Sequence, residues 1–98
     1  MIIKNVLSQL ESAAGPVVKA WQKNEHGKVL VLGFKKGMIL KEHQTALPAK
    51  LLIIDGRVSY REGITSVTIN KFEDMDIPVN VPHSVEALED SICLLIQG

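Results

Sequence analysis

Cysteine is nearly absent from this sequence. Cys93 stands alone among 98 residues, so no internal disulfide can form, and a reducing compartment suits the chain. A basic excess is absent too. Lys plus Arg number 11 and Asp plus Glu number 11, whereas a nucleic-acid binder concentrates positive charge on one face. No apolar run approaches the ~20 residues that cross a bilayer. Ile2-Ile3 near the N-terminus opens neither a long apolar core nor a small-residue cleavage site, so no signal peptide is expected. There is no Gly-rich phosphate loop, no Ser-His-Asp order and no paired-cysteine zinc spacing. Internal repeats and low-complexity segments are likewise missing. These absences predict a cytoplasmic protein that engages neither membrane nor nucleic acid.

What is present is a compact apolar chain. Hydrophobic residues make up 46% and charged residues 22%, which is too apolar for disorder and suits one domain with a single core. The apolar fraction exceeds what so small a core needs, so part of it is expected between subunits. Zero formal net charge also favours association. Ile3, Val6, Leu7, Leu10 and Ala14 recur at three- and four-residue spacing. They predict a short helix over about 4–14 that lies against a barrel mouth or a partner subunit. Gly15-Pro16 stops it.

From Pro16 the period becomes that of strands. Val17–Lys23 and Lys28–Phe34 flank the turn cluster Asn24-Glu25-His26-Gly27 and predict a hairpin, with His26 solvated at its tip. Met38–Thr45 is expected as a third strand. Leu51–Ile54 is a solid apolar strand ending at the tight-turn pair Asp55-Gly56. Arg57–Arg61 alternates, with Val58 and Tyr60 on one face, and Ile64–Phe72 alternates as well. Pro78–Pro82 reads as a rigid loop, since proline cannot donate to a central ladder. Val85–Leu88 and Ile92–Ile96 are the last strands, separated by Glu89-Asp90, with Cys93 in the core. Trp21 and Tyr60 are strand aromatics, expected in core or interface before pocket. Many short strands with frequent turns predict an all-β sandwich or barrel.

Two stretches organise this pattern, each with a histidine beside a turn. In the first, Gly37 is followed after five residues by His43, then Gln44, Thr45, three residues, Ala49, six residues and Gly56. In the second, Phe72 is followed after five residues by Pro78, then Val79, Asn80, two residues, His83, three residues and Ala87. These frames resemble the two sequence motifs of the cupin superfamily, commonly written Gly-x5-His-x-His-x3,4-Glu-x6-Gly and Gly-x5-Pro-x-Gly-x2-His-x3-Asn. The resemblance covers about residues 28–97, and the segment 81–90 resembles the end of many small single-domain bacterial cupins. It implies a double-stranded β-helix, or jelly-roll barrel, over about 16–97 behind the short helix.

In metal-binding cupins the two His and the Glu of the first motif, with the His of the second, hold one divalent metal. Only His43 and His83 stand at those positions here. Thr45 replaces the second His and Ala49 the Glu, and neither is a good ligand for a transition metal. The resemblance therefore implies a degenerate site in which His43 and His83 face each other. Strand alternation places Thr45 on the same face as His43, so its hydroxyl can join a polar cluster.

Three roles compete for the two histidines: anchors of a metal-free pocket, ligands of a weak divalent transition-metal site, or imidazoles satisfied by neighbours. The main expectation is a cytoplasmic homodimer that binds a small organic ligand in the barrel around His43, Thr45 and His83, with weak or no metal. Strands near the N-terminus are natural candidates for the pairing. The alternatives are a metal-dependent dioxygenase or isomerase using His43 and His83, and a structural dimer with a filled barrel.

Overall fold

The computed structural model describes residues 1–98. One helix, α1 (Ile2–Leu10), precedes nine strands: β1 (Val17–Asn24), β2 (Gly27–Phe34), β3 (Ile39–His43), β4 (Ala49–Asp55), β5 (Arg57–Glu62), β6 (Thr65–Asn70), β7 (Asp74–Ile77), β8 (His83–Ala87) and β9 (Ser91–Gln97). They form a five-stranded sheet in the order β1-β2-β9-β4-β7 and a four-stranded sheet in the order β3-β8-β5-β6. All pairings are antiparallel. The two sheets face each other as the walls of a jelly roll.

Thirteen buried side chains from both sheets form one cluster between the walls, with Leu32, Phe34, Leu51, Ile53 and Cys93 from one side against Val58, Tyr60, Ile69 and Val85 from the other. Alternation drives this arrangement. Ala49, Leu51 and Ile53 of β4, and His83, Val85 and Ala87 of β8, turn inward at every second position and are buried. The run Ile92–Ile96 does not alternate, because both faces of β9 meet other protein near its start. Cys93 enters the core, while Ile92 joins Val31 and Val6 in a second cluster on the outside of the five-stranded sheet. That second cluster anchors α1. Gly33 has no side chain at the spot where the Val6 methyl sits, so the helix settles directly on the sheet.

The helix differs in two ways from the sequence pattern. It spans Ile2–Leu10 instead of 4–14, and it covers the outer face of the five-stranded sheet instead of a barrel mouth. Leu10 is its last apolar anchor. Beyond it the backbone tightens into bonds to the third residue back, from Ser12 to Gln9 O and from Ala13 to Leu10 O. The β1–β2 hairpin, the turn at Asp55-Gly56 and the final strand all form as the pattern predicts. β3 is shorter than Met38–Thr45 because the chain bends after His43. β7 is a strand the pattern misses: two aspartates in four residues hide it, and only Ile77 is fully buried. No helix is long and apolar enough to cross a membrane.

Gly56 carries the chain from one sheet to the other, between β4 and β5. It has φ +86°, a region L-residues rarely enter. An added Cβ there would collide with the carbonyl of Asp90 and with Ser91. Ser91 Oγ fastens the same corner. It donates to Glu89 O at 2.7 Å and accepts from the Arg57 N–H at 3.0 Å. Gly63, with φ +56°, has no neighbour within 4 Å of an added Cβ. In chemical denaturation Gly56→Ala is therefore expected to lower stability by about 2 kcal/mol or more, through strain plus collision, and Gly63→Ala by about 1 kcal/mol, through strain alone. Equal losses would show that the crossing corner is not tightly packed.

Candidate functional site

β3 and β8 lie side by side, and their register sets the site. Ile39 opposes Glu86 and Leu40 opposes Val85, but His43 opposes His83. One more residue stands between Leu40 and His43 on β3 than between Val85 and His83 on β8. This is a β-bulge, and it re-aims the side chains beyond it. A regular continuation would set Glu42 opposite His83. With the bulge the two imidazoles meet edge to face, their centroids 4.3 Å apart and their planes at 62°.

The two rings differ in environment and agree in polarity. His83 is only 2% exposed, while His43 is open to solvent. The Nδ1 of His43 lies 2.7 Å from Lys41 O, and the Nδ1 of His83 lies 2.9 Å from Val81 O. A carbonyl only accepts, so each Nδ1 carries the proton and donates it. In the neutral rings each Nε2 is then an unprotonated acceptor. His83 Nε2 has no bond within the protein, and no buried side-chain nitrogen or oxygen is left without a partner. The small exposure His83 retains therefore includes that nitrogen. The site is one sheltered and one open imidazole, both fixed by backbone carbonyls two residues earlier and both offering Nε2.

Tyr60 backs the pair. Its ring is buried and stacks on His83 at 5.5 Å and 21°. Its hydroxyl donates to Glu62 Oε1 at 2.8 Å. Burial, then the bond to this carboxylate, pushes the Tyr60 hydroxyl well above its ordinary pKa, so it stays protonated. The sequence pattern places Tyr60 in the core, where it is, but misses Glu62. The available signal is the Tyr60-x-Glu62 spacing, which puts both on one face of β5.

Thr45 does not join the histidines. It sits past the end of β3, in a bend. Its hydroxyl donates to Leu47 O at 2.9 Å and accepts from Leu47 N–H at 3.2 Å and Gln97 Nε2 at 3.3 Å. Its carbonyl accepts from Asn80 N–H at 2.8 Å, tying the two motif loops together. Strand alternation fails for Thr45 because the strand has ended. Ala49 is buried in the main cluster as a methyl group. No group of three or more His, Cys, Asp or Glu side chains is arranged to hold a metal ion. Two imidazoles without a carboxylate or third imidazole do not fit a tightly held divalent metal. His26 is solvated in its turn, beside Glu25.

The three comparisons with known proteins bear on the fold. No protein-family model matches the chain, and no curated protein matches it. Solved structures do. A cupin superfamily protein from Desulfitobacterium hafniense superposes with a TM-score of 0.80 at 13% identity, covering 86% of this chain and 77% of that one. An RmlC-like cupin protein from Desulfovibrio desulfuricans gives 0.79 at 20% identity, covering 86% and 82%. A Cupin 2 conserved barrel domain protein from Leptotrichia buccalis gives 0.80 at 26% identity, covering 88% of this chain and 42% of that longer one.

Two measurements probe the site and the core behind it. His83→Ala removes a buried, stacked ring and is expected to cost about 2–4 kcal/mol. His43→Ala, on an open ring, is expected to stay within about 1 kcal/mol. Denaturation midpoints compare them, and equal costs would mean that His43 is a packing residue. Cys93 supplies the second. Burial pushes its thiol up to about 12 from an ordinary 9.0. Between those values the unfolded chain loses a proton that the folded chain keeps, so stability falls as pH rises, by about 1.4 kcal/mol per unit for each such proton. Cys93→Ala is expected to flatten the decline between pH 9 and 11, and an unchanged slope would assign it to other groups.

Proposed function

We propose that the His43–His83 pair of this small cupin-type barrel binds a small hydroxylated organic molecule, without a tightly held metal. The supporting observation is the pair of Nε2 acceptors left open by the backbone bonds at Nδ1. A sheltered acceptor beside an exposed one favours a ligand that brings hydrogen-bond donors, such as a sugar or a hydroxy acid. The bond to His83 gains from the low-dielectric surroundings made by Tyr60. His43 is exposed, so its Nε2 reaches the same ligand from solvent. His43 closes β3 and His83 opens β8. The ligand therefore sits where these two strands meet, at one end of the barrel. The lone buried Cys93 keeps a reducing, cytoplasmic setting as the compartment of choice.

A divalent transition metal is the alternative occupant. It would take Nε2 from both rings, with the backbone carbonyls orienting them as outer partners, and all remaining positions would fall to water or substrate. Such a centre is held loosely, which disfavours the dioxygenase and isomerase readings.

One experiment separates these readings. Elemental analysis of untagged protein purified without chelator is paired with thermal-shift titration of monosaccharides, hydroxy acids and apolar molecules of similar size. The expected result is well under one-tenth of an equivalent of metal, with a rise in Tm for a hydroxylated compound that His43→Ala reduces at least tenfold in apparent affinity. Near one equivalent of iron, nickel, manganese or zinc, lost in the same variant, would overturn the metal-free reading. No shift with any hydroxylated compound would overturn the ligand class.

A further inference from the structure

The two sheets leave four edges, at β1, β7, β3 and β6. Three of them carry devices that discourage pairing with another chain. β1 holds Lys19 and Lys23, and its register breaks between Ala20 and Gln22 so that Trp21 bulges outward. β7 is four residues long, contains Asp74 and Asp76, and runs into Pro78. β3 carries Lys41 and Glu42 and the bulge that positions His43. β6 has none of these. Its sequence Thr65-Ser66-Val67-Thr68-Ile69-Asn70 is uncharged, free of proline and glycine, rich in β-branched residues, and pairs with β5 in unbroken register. All but Ile69 are exposed.

The free hydrogen-bonding groups on this edge can be assigned. Asn70 turns its backbone away from β5: its N–H donates to Glu73 Oε1 at 2.7 Å and its carbonyl accepts from Glu73 N–H at 3.0 Å. In an antiparallel ladder every second residue points the same way. Thr68 and Ser66 therefore also direct N–H and C=O outward, and neither set has a partner within the chain. Two apolar side chains bracket them. Ile64 in the β5–β6 turn is fully exposed, and Phe72 just beyond the strand is 74% exposed. Val67, between the two free residues, is 45% exposed.

We infer that β6 is a self-pairing edge: two copies of this chain join through antiparallel β6 strands related by a two-fold axis at Val67. That register sets Ser66 of one copy opposite Thr68 of its partner and Thr68 opposite Ser66. All four outward donors and acceptors of each copy are then satisfied by the other. Val67 meets its own copy across the axis. Because the strands run in opposite directions, the Ile64 end of one copy lies beside the Phe72 end of the other. No like charges face each other, since β6 carries none. These features select a second copy over an unrelated partner: a single surface supplies both halves of the match. The result is a continuous eight-stranded sheet made from two four-stranded ones.

The test is the oligomeric state by sedimentation equilibrium across about 1–100 μM. Thr68→Pro removes an outward N–H, and Val67→Lys places two positive charges against each other at the axis. Circular dichroism melts check that both variants remain folded. The expected outcome is a wild-type dimer and at least a tenfold weaker association in each folded variant. A monomeric wild type overturns the proposal, as does a dimer undiminished by the substitutions. Amide exchange in the wild type decides the matter should either variant unfold. Slow exchange at Ser66 and Thr68 that becomes fast on dilution supports the pairing, and fast exchange at every concentration rules it out.

Discussion

The burial of apolar side chains between two facing sheets governs the rest of this molecule. Phe34, Leu51, Ile53 and Tyr60 are each at most 1% exposed within the shared cluster. At about 25 cal/mol per Å² of apolar surface removed from water, side chains of this size are the main favourable term in folding so short a chain. β9 is held on both sides, by β2 and β4, and its first residues are sealed on both faces as well. His43 ends β3 and His83 begins β8, so the histidine pair stands at one end of the four-stranded sheet.

The placement of that pair turns on a single residue. Lys41 and Glu42 occupy one more position on β3 than the facing stretch of β8 provides, and the extra residue exchanges Glu42 for His43 opposite His83. Side chains alternate with period two, so a slip of one position changes which residue meets which. An acidic partner for His83 is thereby replaced by a second imidazole. Local charge and ring chemistry are set by a backbone irregularity, not by the identity of the residues alone.

Much of this is legible in the sequence, because the readable features are periodic. The β1–β2 hairpin, the crossing turn at Asp55-Gly56, Cys93 in the core and the all-β sandwich-or-barrel class derive from alternation and turn chemistry, and the jelly roll from the resemblance to the two cupin motifs. The motif frames also bring His43 and His83 together correctly. The illegible features lie where tertiary contacts override local pattern. β7 is a strand because it completes the ladder beside β4, despite its aspartates. α1 ends at Leu10 because contact with the sheet ends there. Alternation would put Thr45 on the histidine face, but the strand stops two residues earlier, and the hydroxyl bonds to Leu47 and Gln97 instead. Bulges have no dependable sequence signal, so the register that creates the site is invisible there.

The carboxylates near the pair bear on the proposed metal-free reading. Ala49 stands at the acidic position of the first motif, with its methyl group in the core. Glu42 is turned out of opposition by the bulge. Glu62, on the strand beside β8, accepts a hydrogen bond from the Tyr60 hydroxyl at 2.8 Å, and the protonated Tyr60 ring is what His83 stacks on. Each nearby acid is thus absent, displaced or engaged elsewhere. Without a negative charge against them, the imidazoles have no strong pull toward a dication, and their donated Nδ1 protons leave Nε2 as neutral acceptors. A ligand rich in hydroxyl groups matches that polarity, since each hydroxyl offers the donor an unprotonated Nε2 lacks. These features are what support the proposed hydrogen-bonded ligand.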